Sequence, residues 1–182
     1  MKKLLIPLIC LLIAGCSSKE LTREQALELI RLELKYPKVL DYDLYAGDPK
    51  YGRNVLDAGL EKEGYVKVNR TVKLGEMGTK PIVEFTHKAE PYFLPTSAKD
   101  KKIQIQKVKI ADVELTAVTG LKMVNDNKNA VAEYTTTYKN LTPFSILINK
   151  KLEPVNTHKA YLSLYEDGWR IEKNPGMEFL GK

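Results

Sequence analysis

The stretch "YLSLYEDGWRI", residues 161–171, decides how the second half of the chain folds. Asp167-Gly168 suits a two-residue type I′ turn, because both central positions of that turn take positive φ. Pairing across it sets Glu166 opposite Trp169, Tyr165 opposite Arg170 and Leu164 opposite Ile171. Leu162, Leu164, Trp169 and Ile171 then share one face, the period-2 signature of a half-buried hairpin. Working upstream, "THKAYLSLY" (157–165) extends the same strand and gives His158 and Ala160 the inward parity. "AVAEYTTTY" (130–138) is rich in β-formers, with Ala130, Ala132, Tyr134 and Tyr138 on one side. Before it stand the turn "NDNKN" (125–129) and the strand patterns "ELTAVTGLKMV" (114–124) and "IQIQKVKI" (103–110). The last of these changes parity between Ile105 and Val108, which predicts a bulge there. A long connection, "KNLTPFSILINKKLEPVN" (139–156), separates "AVAEYTTTY" from "THKAYLSLY".

Long strand, Asn-Asp turn, second strand, long loop and a terminal hairpin with Asp167-Gly168-Trp169-Arg170 together resemble the sheet of the NTF2-like family. A cystatin-like sheet is the alternative. The NTF2-like family hosts enzymes and non-enzymes, so this resemblance implies a curved antiparallel sheet and no particular activity.

In the first half, "LTREQALELIRLELKYP" (21–37) carries its own boundaries. Thr22 with Gln25 predicts a capping box. Ala26, Leu27, Ile30 and Leu34 form one apolar stripe, and Pro37 closes the helix by restricting Tyr36. A second helix opens at Asp48-Pro49, carries Val55, Leu56 and Leu60, and ends at Gly64. "YVKVNRTVKL" (65–74) then alternates Val66, Val68, Val72 and Leu74 with polar residues. Gly75 and Gly78 bracket a turn before "PIVEFT" (81–86). Helix, hairpin and Thr86-His87-Lys88-Ala89 resemble a winged-helix domain. The resemblance does not imply DNA binding here: the helix that would enter the groove is acidic, with Asp57, Glu61 and Glu63, and phosphate contact rests on cations. The fold class expected is therefore α+β, a small helix-plus-β-hairpin unit over 22–95 followed by a curved antiparallel sheet over 103–182. "SAKDKK" (97–102) serves as the linker.

The chain opens with Lys2 and Lys3, an apolar run from Leu4 to Ile13 broken by Pro7, and small residues ahead of Cys16. That run is shorter than the roughly 20 residues a spanning helix needs, and the order describes a secretory signal. Ile13-Ala14-Gly15-Cys16 resembles the bacterial lipoprotein box. The resemblance implies removal of residues 1–15, lipid on Cys16, and a short lipid-anchored linker over 16–21 reaching about 10–15 Å. Ser17 in place of Asp implies sorting to the outer membrane, on its periplasmic face. Cys10 would leave with the signal, so the mature chain would hold no free thiol, no disulfide and no thiolate metal site.

The net charge of +6 has both signs interspersed along the chain, which excludes a nucleic-acid signature. No P-loop, dinucleotide fingerprint, Gly-x-Ser-x-Gly or calcium-loop spacing is present, and no cofactor or metal is implied. His158 and Tyr134 are the pocket candidates: an inward histidine can act as a base, with Asp112 or Glu133 as potential partners. Arg70 reads as an anion ligand or half of an ion pair. Phe144, Ile146, Leu147 and Ile148 in the long connection read as a protein-contact cluster or as a cover over the sheet. The two copies of Thr-His-Lys-Ala, at 86–89 and 157–160, have unrelated flanks and read as coincidence. The function expected is a lipid-anchored envelope protein that binds or scaffolds a protein partner without catalysis. A pocket protein binding, or acting on, a small envelope ligand is the alternative.

Overall fold

The structure, a computed structural model, describes residues 20–71, 80–148 and 152–179. The lipoprotein box, Cys16, Val72, Leu74, Gly75 and Gly78 lie outside the described residues. The fold is α+β, with one curled five-stranded antiparallel sheet in the order β1-β4-β5-β6-β7 and a separate two-stranded ribbon, β2-β3. In chain order the elements are α1 (Arg23–Glu33), β1 (Lys38–Tyr45), α2 (Pro49–Asp57), β2 (Val66–Val68), β3 (Val83–Phe85) and α3 (Ala98–Lys102). Then follow β4 (Ile105–Val124), β5 (Asn129–Lys139), β6 (Val155–Tyr165) and β7 (Gly168–Ile171).

The first helix begins as its sequence dictates. Thr22 Oγ1 accepts the Gln25 N–H at 3.2 Å, and Gln25 Oε1 accepts the Thr22 N–H at 3.0 Å. Its end differs from expectation. Lys35 adopts left-handed φ (57°) while Tyr36 N–H reaches Arg31 O at 2.9 Å and Lys35 N–H reaches Leu32 O at 3.3 Å. The helix is closed by this reverse turn before Pro37 acts. α2 also stops early. Asp48 Oδ1 caps it at 2.8 Å, and Gly59 (φ 73°) lets Leu60 N–H close onto Val55 O at 3.0 Å. Gly64 (φ 78°) ends a further turn of chain instead of the helix.

"KVLDYDLY" (38–45), which the helix–helix reading passes over, is the edge strand β1, antiparallel to the first part of β4. Lys107 Nζ bridges Asp41 at 2.6 Å and Asp43 at 3.1 Å on its outer side. The two strand patterns at 103–110 and 114–124 are one strand, β4, which pairs β1 first and β5 afterwards. Pairing with β1 runs without a break from Ile105 to Lys109. The irregularity falls between Leu40 and Asp41, opposite Ile110, and two more fall near Thr116 and Thr119. Bulges bend a strand and increase its twist, so three of them along β4 curl the sheet.

The terminal hairpin keeps its expected faces but slips by two residues. Tyr165 pairs Gly168, Leu164 pairs Trp169 and Leu162 pairs Ile171. Glu166-Asp167 therefore form the turn, and only Gly168 takes positive φ there (131°). A slip of two preserves alternation, whereas a slip of one would have inverted it.

Both hydrophobic clusters lie on the same face of the curled sheet. One gathers Leu44, Val55, Leu60, Val83, Val108 and Ile110 around Phe144. The other seats Ala26 and Ile30 of α1 on Val118, Ala130, Ala132 and Leu162. α1 and α2, which the winged-helix resemblance groups together, therefore sit in different clusters. Residues 22–95 do not pack as a unit apart from 103–182: β1 joins the sheet, α1 lies over the second half of β4 together with β5 and β7, and 97–102 is mostly α3.

Candidate functional site

His158 and Tyr134 are directly opposed across β6 and β5, and their rings stack at 5.1 Å with a 28° interplanar angle. His158 Nε2 lies 2.9 Å from Thr136 Oγ1, and Thr136 is buried. Tyr134 is itself buried and meets Tyr36 edge-on, with the two hydroxyl oxygens 3.4 Å apart. Burial, and then the Tyr134 hydroxyl, push the Tyr36 phenol up to about 12. The two sequence candidates are thus brought together, but as links in a polar and aromatic chain beneath α1.

The acids suggested as partners are not there. Glu133 alternates onto the opposite face from Tyr134 and reaches Lys159 at 3.6 Å. Asp112 is held by Lys109 at 2.7 Å and by Asn140 Nδ2 at 2.9 Å. These contacts, Lys109 first, hold its carboxyl below the usual range. Neither carboxylate is placed to orient His158 as a base. Among the described residues no group of three His, Cys, Asp or Glu could hold a metal ion.

The long connection divides. Phe144 (0% exposed) and Leu147 (6%) are core residues, with Tyr65, Tyr92 and Phe85 packed around the Phe144 ring at 6.0–6.5 Å. Ile148 is half-buried against the same cluster, and Ile146 points out, at 58% exposed. Of the two readings of this segment the cover is what forms, and Phe144, Ile146, Leu147 and Ile148 do not make a contact patch: a short 3₁₀ turn over Pro143–Leu147 lies on the sheet because its i, i+3 apolar residues face inward.

The two tetrapeptides have unlike roles. Thr86 Oγ1 donates to Gly64 O at 2.7 Å, Lys88 Nζ donates to Glu63 O at 2.7 Å, and Ala89 is buried. That copy satisfies carbonyls left by the turn after α2, while its His87 is fully solvated beside Glu90. The other copy is strand, and its histidine is the stacked one.

A concavity of about 430 Å³ lies elsewhere, between α2 and the β2–β3 ribbon. Pro49, Gly52, Arg53 and Leu56 come from one stripe of α2 at i, i+3, i+4 and i+7. Val68, Arg70, Lys80 and Ile82 form the facing wall. The stripe approaches closely because residue 52 is glycine: a Cβ there would meet Ile82 Cγ2 at 2.8 Å. Arg70 Nη2 pairs with Glu61 Oε2 at 2.5 Å, and Glu61 Oε1 also accepts the Val68 N–H at 2.7 Å. The Val68 N–H first, and Arg70 second, lower the Glu61 carboxyl from its ordinary value. Of the two readings of Arg70, the ion pair is what forms, and it fixes the guanidinium at the rim of the cleft. Arg53 and Lys80 carry no sequence signal, since three separate segments build the site. Among the described residues its lining holds no histidine, carboxylate, hydroxyl or thiol.

No family model matches the chain, and no curated protein or solved structure is similar to it.

Proposed function

We propose that this is a lipid-anchored protein of the cell envelope that acts by binding, without catalysis, from the periplasmic face of the outer membrane. The observation that carries the binding reading is the α2–ribbon cleft. It has an apolar floor and a cationic rim, the ordinary composition of a ligand site, and its described lining residues include no histidine, carboxylate, hydroxyl or thiol. His158 supports the same reading, because its Nε2 is engaged by Thr136 and its ring is stacked on Tyr134. The anchor rests on the lipoprotein-box resemblance. Leu21, buried at the start of the fold, keeps the proposed tether from Cys16 to a handful of residues, so the folded part would stay close to the bilayer. No helix among the described residues is long and apolar enough to cross a membrane.

Membrane fractionation of Cys16→Ala tests the anchor. Release of the protein, or accumulation of the unprocessed form, is expected, and unchanged processing and retention would sink it. In-cell crosslinking of the tagged, lipidated chain tests the mode of action. A single protein recovered in near-stoichiometric amounts would establish a scaffold, whereas an empty result would place the ligand among small molecules.

A further inference from the structure

We infer that β4 pairs with β4 of a second copy of this chain, antiparallel across a two-fold axis at Val118. The inference is independent of the anchor and of the cleft. β1 accompanies β4 from Ile105 to Val113, and β5 accompanies its other side from Asp112 to Val124. Past Val113 the β1 side of β4 carries no strand among the described residues, which leaves the edge from Glu114 to Val124 open. Pro37, just ahead of β1, has no N–H with which to extend that ladder. An open edge is a row of backbone donors and acceptors that another strand can take up.

The residues of this edge repeat in mirror order on either side of Val118. Leu115, Val118 and Leu121 lie opposite Thr136, Tyr134 and Ala132 of β5, on the face beneath α1. Glu114, Ala117, Gly120 and Lys122 take the other face. The two irregularities fall between Leu115 and Ala117 and between Val118 and Gly120, so they too flank Val118. A two-fold there sets Leu115 against Leu121, Val118 against its own copy and Glu114 against Lys122, with the members of each pair on one face. It also brings each irregularity opposite the other. A strand without those extra residues would lose register at each bulge, so the edge selects a copy of itself. Leu115 and Leu121 are half-buried at the margin of the α1 cluster, and pairing removes more of their surface from water. Glu114 and Lys122 are exposed, and neither has an ion pair or hydrogen bond among the described residues. Arg31, which shares a small hollow with Glu114, is taken by Glu28 at 3.7 Å. Across the two-fold, Glu114 and Lys122 meet twice, once at each end of the paired stretch.

The test uses two forms of the full chain, Glu114→Cys and Lys122→Cys, carrying different affinity tags and co-expressed. After oxidation with diamide in a detergent extract, disulfide-linked peptides are mapped by mass spectrometry. Directly opposed residues of antiparallel strands have Cα atoms about 4.5–5.5 Å apart, within the reach of a disulfide. The mixture should therefore yield a link from position 114 of one copy to position 122 of the other. Either form alone should give at least about tenfold less linkage through its new cysteine, because the two-fold sets like positions more than about 20 Å apart. Charge reversal supplies a second readout. Glu114→Lys and Lys122→Glu, both at exposed positions, each turn two opposite-charge pairs into two like-charge pairs. Each should raise the dimer dissociation constant by about tenfold in analytical ultracentrifugation, with the circular dichroism spectrum unchanged. The double reversal should restore it. A chain that sediments as a monomer, linkage as strong in either form alone as in the mixture, or a double reversal no better than the single ones overturns the assignment.

Discussion

The two ends of the sheet are covered in different ways. At the β1 end the cover is irregular chain: α2, the β2–β3 ribbon and a 3₁₀ turn, assembled around one large ring, Phe144, within a cage of aromatics. At the β5–β7 end a single amphipathic helix lies on a bed of small residues, Ala130, Ala132 and Ala160, with Ile30 as the main inserted side chain. A regular helix approaches closely only where the sheet offers little side chain. An irregular cover cannot rely on backbone regularity and is organised by a bulky plug. The contrast separates an end held by what is added from an end held by what is left out.

The largest effect expected follows from removing the plug. Phe144→Ala should cost about 3–5 kcal/mol in denaturant unfolding, because its ring is fully buried and its ring neighbours Tyr65, Phe85 and Tyr92 come from three separate segments that cannot collapse together. A cost below about 1 kcal/mol would mean the aromatic cage does not organise that end. The reverse operation probes the other end. Ala132→Leu overfills the bed beneath α1 and should cost about 1–3 kcal/mol, whereas the same insertion would be absorbed if α1 were loosely seated.

A smaller loss, about 1 kcal/mol, is expected from Thr22→Ala, which removes one arm of the capping box and leaves the Phe144 end untouched. Hydrogen-exchange protection that weakens in α1 alone would confirm that the covers are energetically distinct. The smallest effect is spectroscopic. In an absorbance titration Tyr36 should ionise at about 12, above an unperturbed tyrosine. Its folded pKa is raised, so its contribution to stability is whole below pH 10 and is lost as the pH climbs through its folded value. Tyr134→Phe should lower that pKa, since it removes the second-largest cause and leaves burial as the first.

These contrasts also mark what a linear reading reaches. Face alternation in 130–138 and 161–171 was fully legible, because a period of two survives a register error of two. The Thr22–Gln25 box was legible because both partners lie within one turn. The end of α1 was not, since a lysine takes the left-handed position that usually announces itself as glycine. β1 was obscured by its two acids and its irregularity at Leu40/Asp41, although Leu40, Tyr42 and Leu44 alternate against Asp41 and Asp43. His158 and Tyr134 were legible as neighbours through strand parity. The cleft was not, because its walls come from residues 47–56, 68–70 and 80–82, and burial of one loop aromatic, Phe144, looks the same in sequence as its exposure.

The uninterrupted run of β4 has a kinetic consequence. Its second half meets β5 through the tight turn at Asn125, Asp126 and Asn127, all with positive φ, so that hairpin closes locally. Its first half waits for β1, from which it is separated by about 60–75 residues, a closure whose entropy must be met before any contact rewards it. One strand thus belongs to an early event along half its length and a late one along the other. Pulse-labelled exchange during refolding should find the 113–138 ladder protected well before the 38–45 edge.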